Sequence, residues 1–249
     1  MENNYIEQSL FPEYISDNKL KAANEREKQR WQFCKSKNFG LEYCANATFQ
    51  GKYGIVLINK YVDTLPNSFI TLHETNSIGS PNIGVVGFSY DYELERLSNN
   101  PQRYAPRLAK YKCICEPDFS MKIGAPLGVV VGNTFRSHTI AFCLQEYGCK
   151  VMPTMKWSSP ESYEVCFDGY ERGGAVIVST IGTMKDERSR MYFKDGFKEM
   201  LKRISPDAVV LYGDSNEWIA SLMPKQLDVQ HFSHERFNRM RGYGKSRSI

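Results

Sequence analysis

From residue 83 onward, short runs of apolar and β-branched residues alternate with longer helix-like stretches. This alternation limits the possible folds more than any other feature of the chain. The runs are Ile83-Gly84-Val85-Val86-Gly87-Phe88, Tyr111-Lys112-Cys113-Ile114-Cys115, Cys149-Lys150-Val151-Met152-Pro153, Ala175-Val176-Ile177-Val178-Ser179 and Ala208-Val209-Val210-Leu211-Tyr212. They are apolar almost throughout, not every second residue, so each is read as a strand covered on both faces. Between them, Asp186 to Arg203 carries Met191, Phe193, Phe197, Met200 and Leu201 at helical spacing, continuing to Ile204. Asn133 to Tyr147 does the same with Phe135, Thr139, Phe142, Cys143 and Leu144, and Gly148 stops it. Strand–helix–strand succession requires parallel strands joined by right-handed crossovers. The fold expected is α/β: a mainly parallel sheet with crossover helices, either an open doubly wound sheet or a partial barrel.

The flanks differ. Residues 1–50 read as a polar N-terminal extension, with Ser16-Asp17 capping a charged surface helix over residues 19–30. Turn residues punctuate Thr48 to Asn82, leaving short strands at Ile55-Val56-Leu57-Ile58 and Phe69-Ile70-Thr71-Leu72. The α/β domain is read over residues 51–222 and a basic C-terminal tail over 223–249. In that tail Arg236, Arg239, Arg241, Lys245 and Arg247 stand among glycines and serines, a composition suited to salt-sensitive contact with nucleic acid.

Composition narrows the class. Hydrophobic residues at 41% and charged residues at 24% exclude disordered and collagen-like chains. A net charge of +4 is too small to argue for nucleic acid across the whole chain. With no apolar run of about 18 residues, no membrane span is expected. The first residues lack a signal-peptide pattern. Seven cysteines without a CxxC pair argue against a disulfide framework, support zinc only weakly, and fit buried thiols in a reducing cytoplasm. Cys113 and Cys115 are assigned to opposite faces of their strand.

In parallel α/β folds, ligands bind beyond the carboxyl ends of the strands. The polar residues following each run therefore form a candidate rim: Asp91, Asp118, Lys156, Trp157, Ser179 and Asp214. Asp118 is the leading candidate for catalysis, because Pro117 fixes its exit from the strand and a carboxylate there suits general-base work or a cation. Asp91 is the second, and the pair could share a divalent cation, although no DxD or HExxH spacing supports a metal site. Asn133 and Arg136, three residues apart at an expected helix start, suit a phosphate or carboxylate. Lys156 supplies a cation, Ser179 a hydroxyl, and Trp157 a ring that can stack on a planar ligand. Each has a structural alternative: a loop cap, a surface ion pair, a ring plugging the sheet. Of the histidines, His73 and His138 are candidates to face a pocket. None adjoins a GxSxG element, so a Ser–His–Asp hydrolase is not expected. Gly124, Gly128 and Gly132 match no phosphate-loop fingerprint.

An ordered series of segments carries a resemblance. It runs through Glu116-Pro117-Asp118-Phe119-Ser120, Gly124-Ala125-Pro126, Asn133-Thr134-Phe135-Arg136-Ser137 and Tyr147 to Trp157. It continues with Cys166-Phe167-Asp168-Gly169, Val178 to Gly182, Arg203-Ile204-Ser205-Pro206 and Tyr212-Gly213. Over about residues 83–215 the sequence resembles an uncharacterised domain family of phages, prophages and mobile elements of bacteria, domain of unknown function 4417. The resemblance implies a phage or mobile-element protein of the host bacterial cytoplasm and supplies no catalytic residue. Three functions stand in competition. The first is an enzyme or binding domain for a small anionic or nucleotide-like ligand at the strand ends. The others are a nucleic-acid-associated accessory protein and a non-catalytic protein that engages a host factor. The strand-end rim favours the first.

Overall fold

The computed structural model describes residues 40–183, 185–213 and 216–233. The expected charged helix after Ser16-Asp17, Asp214 and the five basic tail residues Arg236, Arg239, Arg241, Lys245 and Arg247 lie outside the described residues.

An antiparallel pair, β1 (Phe49–Gln50) and β2 (Ile55–Val56), comes first. Every later strand pairs in parallel. β3 (Ser68–Thr71), β4 (Ser80–Val86), β5 (Tyr111–Cys115) and β6 (Val151–Met152) lie in that order. β7 (Thr154–Met155), β8 (Ala175–Ser179), β9 (Ala208–Tyr212) and β10 (Asp228–Phe232) form a second sheet. Helices α1 (Asp91–Asn99) and α2 (Pro101–Leu108) cross from β4 to β5, and α3 (Leu127–Glu146) crosses to β6. The short α4 (Tyr163–Cys166), then α5 (Glu187–Ile204) and α6 (Glu217–Leu222), serve the later strands.

Pro153 joins the two sheets. Val151-Met152 pairs with β5, and Thr154-Met155 pairs with β8. The proline between them has no N–H to donate. Its carbonyl accepts from the Ile177 amide at 2.9 Å. One extended segment thus serves two neighbours in turn and carries the parallel arrangement from the first sheet into the second.

The two faces of this sheet settle its shape. On one face Val85, Ile114, Val151, Val176, Val178 and Val209 pack against Leu94, Ile140, Leu144, Phe197 and Met200 of the helices. On the other, Phe69, Val86, Cys113, Cys115, Met152, Ile177, Val210 and Tyr212 meet each other, with no helical residue in the cluster. Phe69 of β3 and Phe232 of β10 lie edge to face at 4.9 Å between ring centres. Strand side chains from both ends of the order therefore fill one interior, and the sheet is curled into a partial barrel with helices outside. An open doubly wound sheet would carry helices on both faces. Cys113 and Cys115 both point inward. Side chains alternate with period two, so residues i and i+2 share a face, which corrects their assignment to opposite faces.

Two helices differ from expectation in detail. α5 begins where its sequence signals it, with Asp186 accepting from the Ser189 amide at 2.7 Å. Its buried stripe is Phe193, Gly196, Phe197, Met200 and Ile204, while Met191 is exposed. α3 begins at Leu127, well before Asn133, with Pro126 at its N-cap and Gly128 and Gly132 inside it. Asn133 and Arg136 therefore lie inside the helix, away from its free amides, which corrects their reading as a helix-start anion site.

Candidate functional site

A cavity of about 550 Å³ opens at the carboxyl ends of β4, β5, β7 and β8. Four of the residues singled out in the sequence line it: Asp118, Lys156, Trp157 and Ser179. They converge because parallel strands all finish on the same edge of the barrel.

Asp91, Asn133 and Arg136 are not in the lining; each is engaged beside it. Asp91 accepts from the amide and hydroxyl of Ser120 at 3.1 and 3.0 Å, while Asn133 Nδ2 donates to the Ser120 carbonyl at 2.9 Å. Ser120 is a lining residue gripped from both sides, so Asp91 and Asn133 fix the loop after β5. Arg136 pairs with Glu95, donates to Ser98 Oγ at 3.1 Å and lies 4.1 Å from the Phe119 ring centre. It fastens α1 to α3. Among the described residues, no group of three His, Cys, Asp or Glu side chains is placed to hold a metal ion.

Asp118 is half-buried, its amide donating to the Gly87 carbonyl at 3.0 Å. Burial pushes its carboxyl up to about 6, with Glu116 and Asp91 adding to the rise and Lys156 opposing it. Such a group changes charge near neutral pH, as an acid–base residue must. Lys156 is only 7% exposed and forms part of the cavity floor. Its Nζ donates to the Pro117 carbonyl at 2.8 Å and to Ser137 Oγ.

Behind this floor lies a buried polar cluster that sequence reasoning missed. Glu116 is fully buried. Its Oε2 accepts from the Tyr170 hydroxyl at 2.9 Å and the Thr154 amide at 3.2 Å. Its Oε1 is 3.8 Å from Lys156 Nζ and 3.6 Å from His138 Nε2. His138 is fully buried, and its Nδ1 sits 2.8 Å from the Val56 carbonyl, which assigns the Nδ1 proton to that bond. Burial lowers the His138 pKa, against the pull of Glu116. Burial and the Glu116 charge hold the Tyr170 hydroxyl well above its usual range, so it remains a donor. The cluster sets one carboxylate against the Lys156 cation and so holds that cation at the cavity floor. The signal for Glu116 was an acid directly after the apolar run Cys113-Ile114-Cys115, where an unpaired charge is not tolerated.

Trp157 serves the wall. Its ring lies 5.6 Å from Phe193 and 5.8 Å from Phe167, and its Nε1 donates to the Tyr192 carbonyl at 2.9 Å. It rests on Gly196, where a Cβ would come within 2.1 Å of Nε1. Gly196→Ala is expected to displace the indole and cost about 1–3 kcal/mol, read by urea denaturation together with a changed tryptophan emission. Wild-type stability and emission would show that the contact relaxes freely.

The model of a family described as Domain of unknown function (DUF4417) matches residues 47–230. The chain belongs to the DUF4417 family. The matched segment runs from the start of the β1–β2 hairpin into β10 and so contains the whole cavity lining. Two similar proteins are Gene 1 proteins of mycobacteriophages. That of phage D29 is 32% identical over 126 residues, 51% of this chain and 47% of its own length. That of phage L5 is 29% identical over 126 residues, 51% of this chain and 55% of its own. The chain spans about half the length of these curated relatives. No solved structure matches. DUF4417 is thus an α/β domain family with phage members. No helix among the described residues is long and apolar enough to cross a membrane.

Proposed function

We propose that this DUF4417 protein binds a small anionic ligand, nucleotide-like in character, in the cavity at the carboxyl ends of its barrel strands. The observation that carries the reading is the charge balance of the lining. Among the described lining residues, Lys122, Lys156 and Lys185 stand against a single carboxylate, Asp118. Glu116 balances Lys156 from behind the floor, so the attraction for anions comes chiefly from Lys122 and Lys185, and a concave site strengthens it. The hydroxyls of Ser158 and Ser179 add donors around them, while that of Ser120 is given to Asp91. Asp118 beside Lys156 supplies an acid–base group, should the ligand be turned over.

Lys122 and Lys185 are exposed, so removing both leaves the fold intact. The Lys122→Ala/Lys185→Ala variant is expected to bind a nucleoside monophosphate at least about tenfold more weakly than wild type by calorimetry, the loss of two charge-assisted contacts. Unchanged affinity, or no binding of any such anion by wild type, would overturn the reading.

The Asp118 carboxyl fixes a pH dependence. Above about 6 it is charged and repels an anion at Lys156; below, it is neutral. Affinity for sulfate, whose charge is constant across about pH 5 to 8, is expected to rise as pH falls through this value. Asp118→Asn should bind sulfate as tightly at high pH as wild type does at low pH, with a flat profile. The sign for stability agrees. The folded state holds the Asp118 proton more tightly than the unfolded chain, so the penalty is present above the folded value and relieved as pH falls. Asp118→Asn is therefore expected to be more stable than wild type at neutral pH and to lose that advantage in acid.

A further inference from the structure

Two exposed aromatic rings stand beside this cavity without a packing role in the fold. Tyr90, 58% exposed, is the residue before α1 and a lining residue of the cavity; Tyr92, 66% exposed, lies in the first turn. Their rings stack on each other at 5.7 Å between centres and 13° between planes. Tyr92 lies about half a turn round the helix from its buried Leu94 and Leu97, and Tyr90 stands just before the first turn. One ring of the pair is tethered. Tyr92 Oη donates to Glu93 Oε1 at 3.2 Å, His73 Nε2 lies 2.9 Å from the same oxygen, and Ser89 donates to Glu93 Oε2. Two rings stacked on each other leave an outer face open to a third flat group.

Flat group and anion site adjoin. Tyr90 lines the same cavity as Lys122, Lys156 and Lys185. We propose that Tyr90 and Tyr92 form a base-stacking platform, so that the ligand is a nucleotide whose base lies on the rings outside the cavity while its phosphate enters among the lysines. The ligand is then either a free nucleotide or the terminal residue of a single strand, since both present one base joined to one phosphate. This deepens the reading of the cavity as an anion site and rests on it.

The test titrates the full chain by calorimetry with AMP, with ribose 5-phosphate, and with a single-stranded oligodeoxyadenylate of about ten nucleotides carrying a 5′-phosphate. AMP is expected to bind about tenfold or more tighter than ribose 5-phosphate, the scale of one stacked base. Tyr90→Ala/Tyr92→Ala should bring AMP down to the ribose 5-phosphate level without changing Tm, because both rings are exposed, whereas Tyr90→Phe, which keeps both rings and the Tyr92 tether, should keep the gap. Tighter binding of the oligonucleotide than of AMP would support the platform and identify a strand end as the source; tighter binding of AMP would support it and identify the free nucleotide. Equal affinity for AMP and ribose 5-phosphate, or a gap that survives in the alanine variant, overturns the platform and leaves the anion site standing. Absence of binding by both AMP and ribose 5-phosphate overturns the two together.

Discussion

Replacing Glu116 with alanine is expected to lower the unfolding free energy by about 3–5 kcal/mol, read from the midpoint and slope of urea denaturation. The magnitude follows from what the side chain leaves behind. Lys156 would keep its cation in a site that is almost closed to water, and the Tyr170 hydroxyl and Thr154 amide would each lose their acceptor. Glu116→Gln keeps the shape and one acceptor oxygen, so it should cost less. A cycle with Lys156→Met separates pairing from packing: removing Lys156 should be cheaper once Glu116 is gone. A loss below about 1 kcal/mol for Glu116→Ala, with no coupling to Lys156→Met, would show that the cluster is not one unit.

Phe197→Ala is expected to cost about 3–5 kcal/mol, because the ring is fully buried between α5 and the barrel wall. Met191, on the same helix and 49% exposed, makes the control: Met191→Ala should stay within about 0.5 kcal/mol of wild type. Similar losses at the two positions would mean that α5 packs on a different face.

The comparison between Phe197 and Met191 also shows what the sequence can reveal. Periodicity located the helix and most of its buried stripe. It could not separate Met191 from the stripe, since a flexible apolar side chain at an approximate multiple of the helical repeat scores like a core residue. β5, β8 and β9 coincide with their apolar runs, because a strand covered on both faces announces itself by composition. β10, Asp-Val-Gln-His-Phe, carries no such run and was read as part of the tail. It stands at the end of the strand order, where one side of the strand has no neighbour to demand apolar residues. The early start of α3 was hidden because Gly128 and Gly132 interrupt the apolar spacing that marked the helix from Asn133, although single glycines are tolerated inside a helix.

At the candidate site, Asp118, Lys156, Trp157 and Ser179 were legible for a topological reason: strand ends of a parallel sheet share an edge. Asp91, Asn133 and Arg136 carried the same residue chemistry, but their partners, Ser120, Glu95, Ser98 and Phe119, come from other elements and are invisible in a local reading. Glu116, His138 and Tyr170 are separated by tens of residues in the chain, and only the barrel brings them to one point.

Pro153 has a further consequence. Because the rungs change sides at that residue, the two walls of the mouth belong to separately laddered half-barrels. Asp118 comes from one and Ser179 from the other, and residues 151–155 are the segment that pairs with both. The gap between those walls is thus spanned by side chains and by one five-residue splice, so its width can be retuned by substitution in the loops while every backbone ladder stays whole.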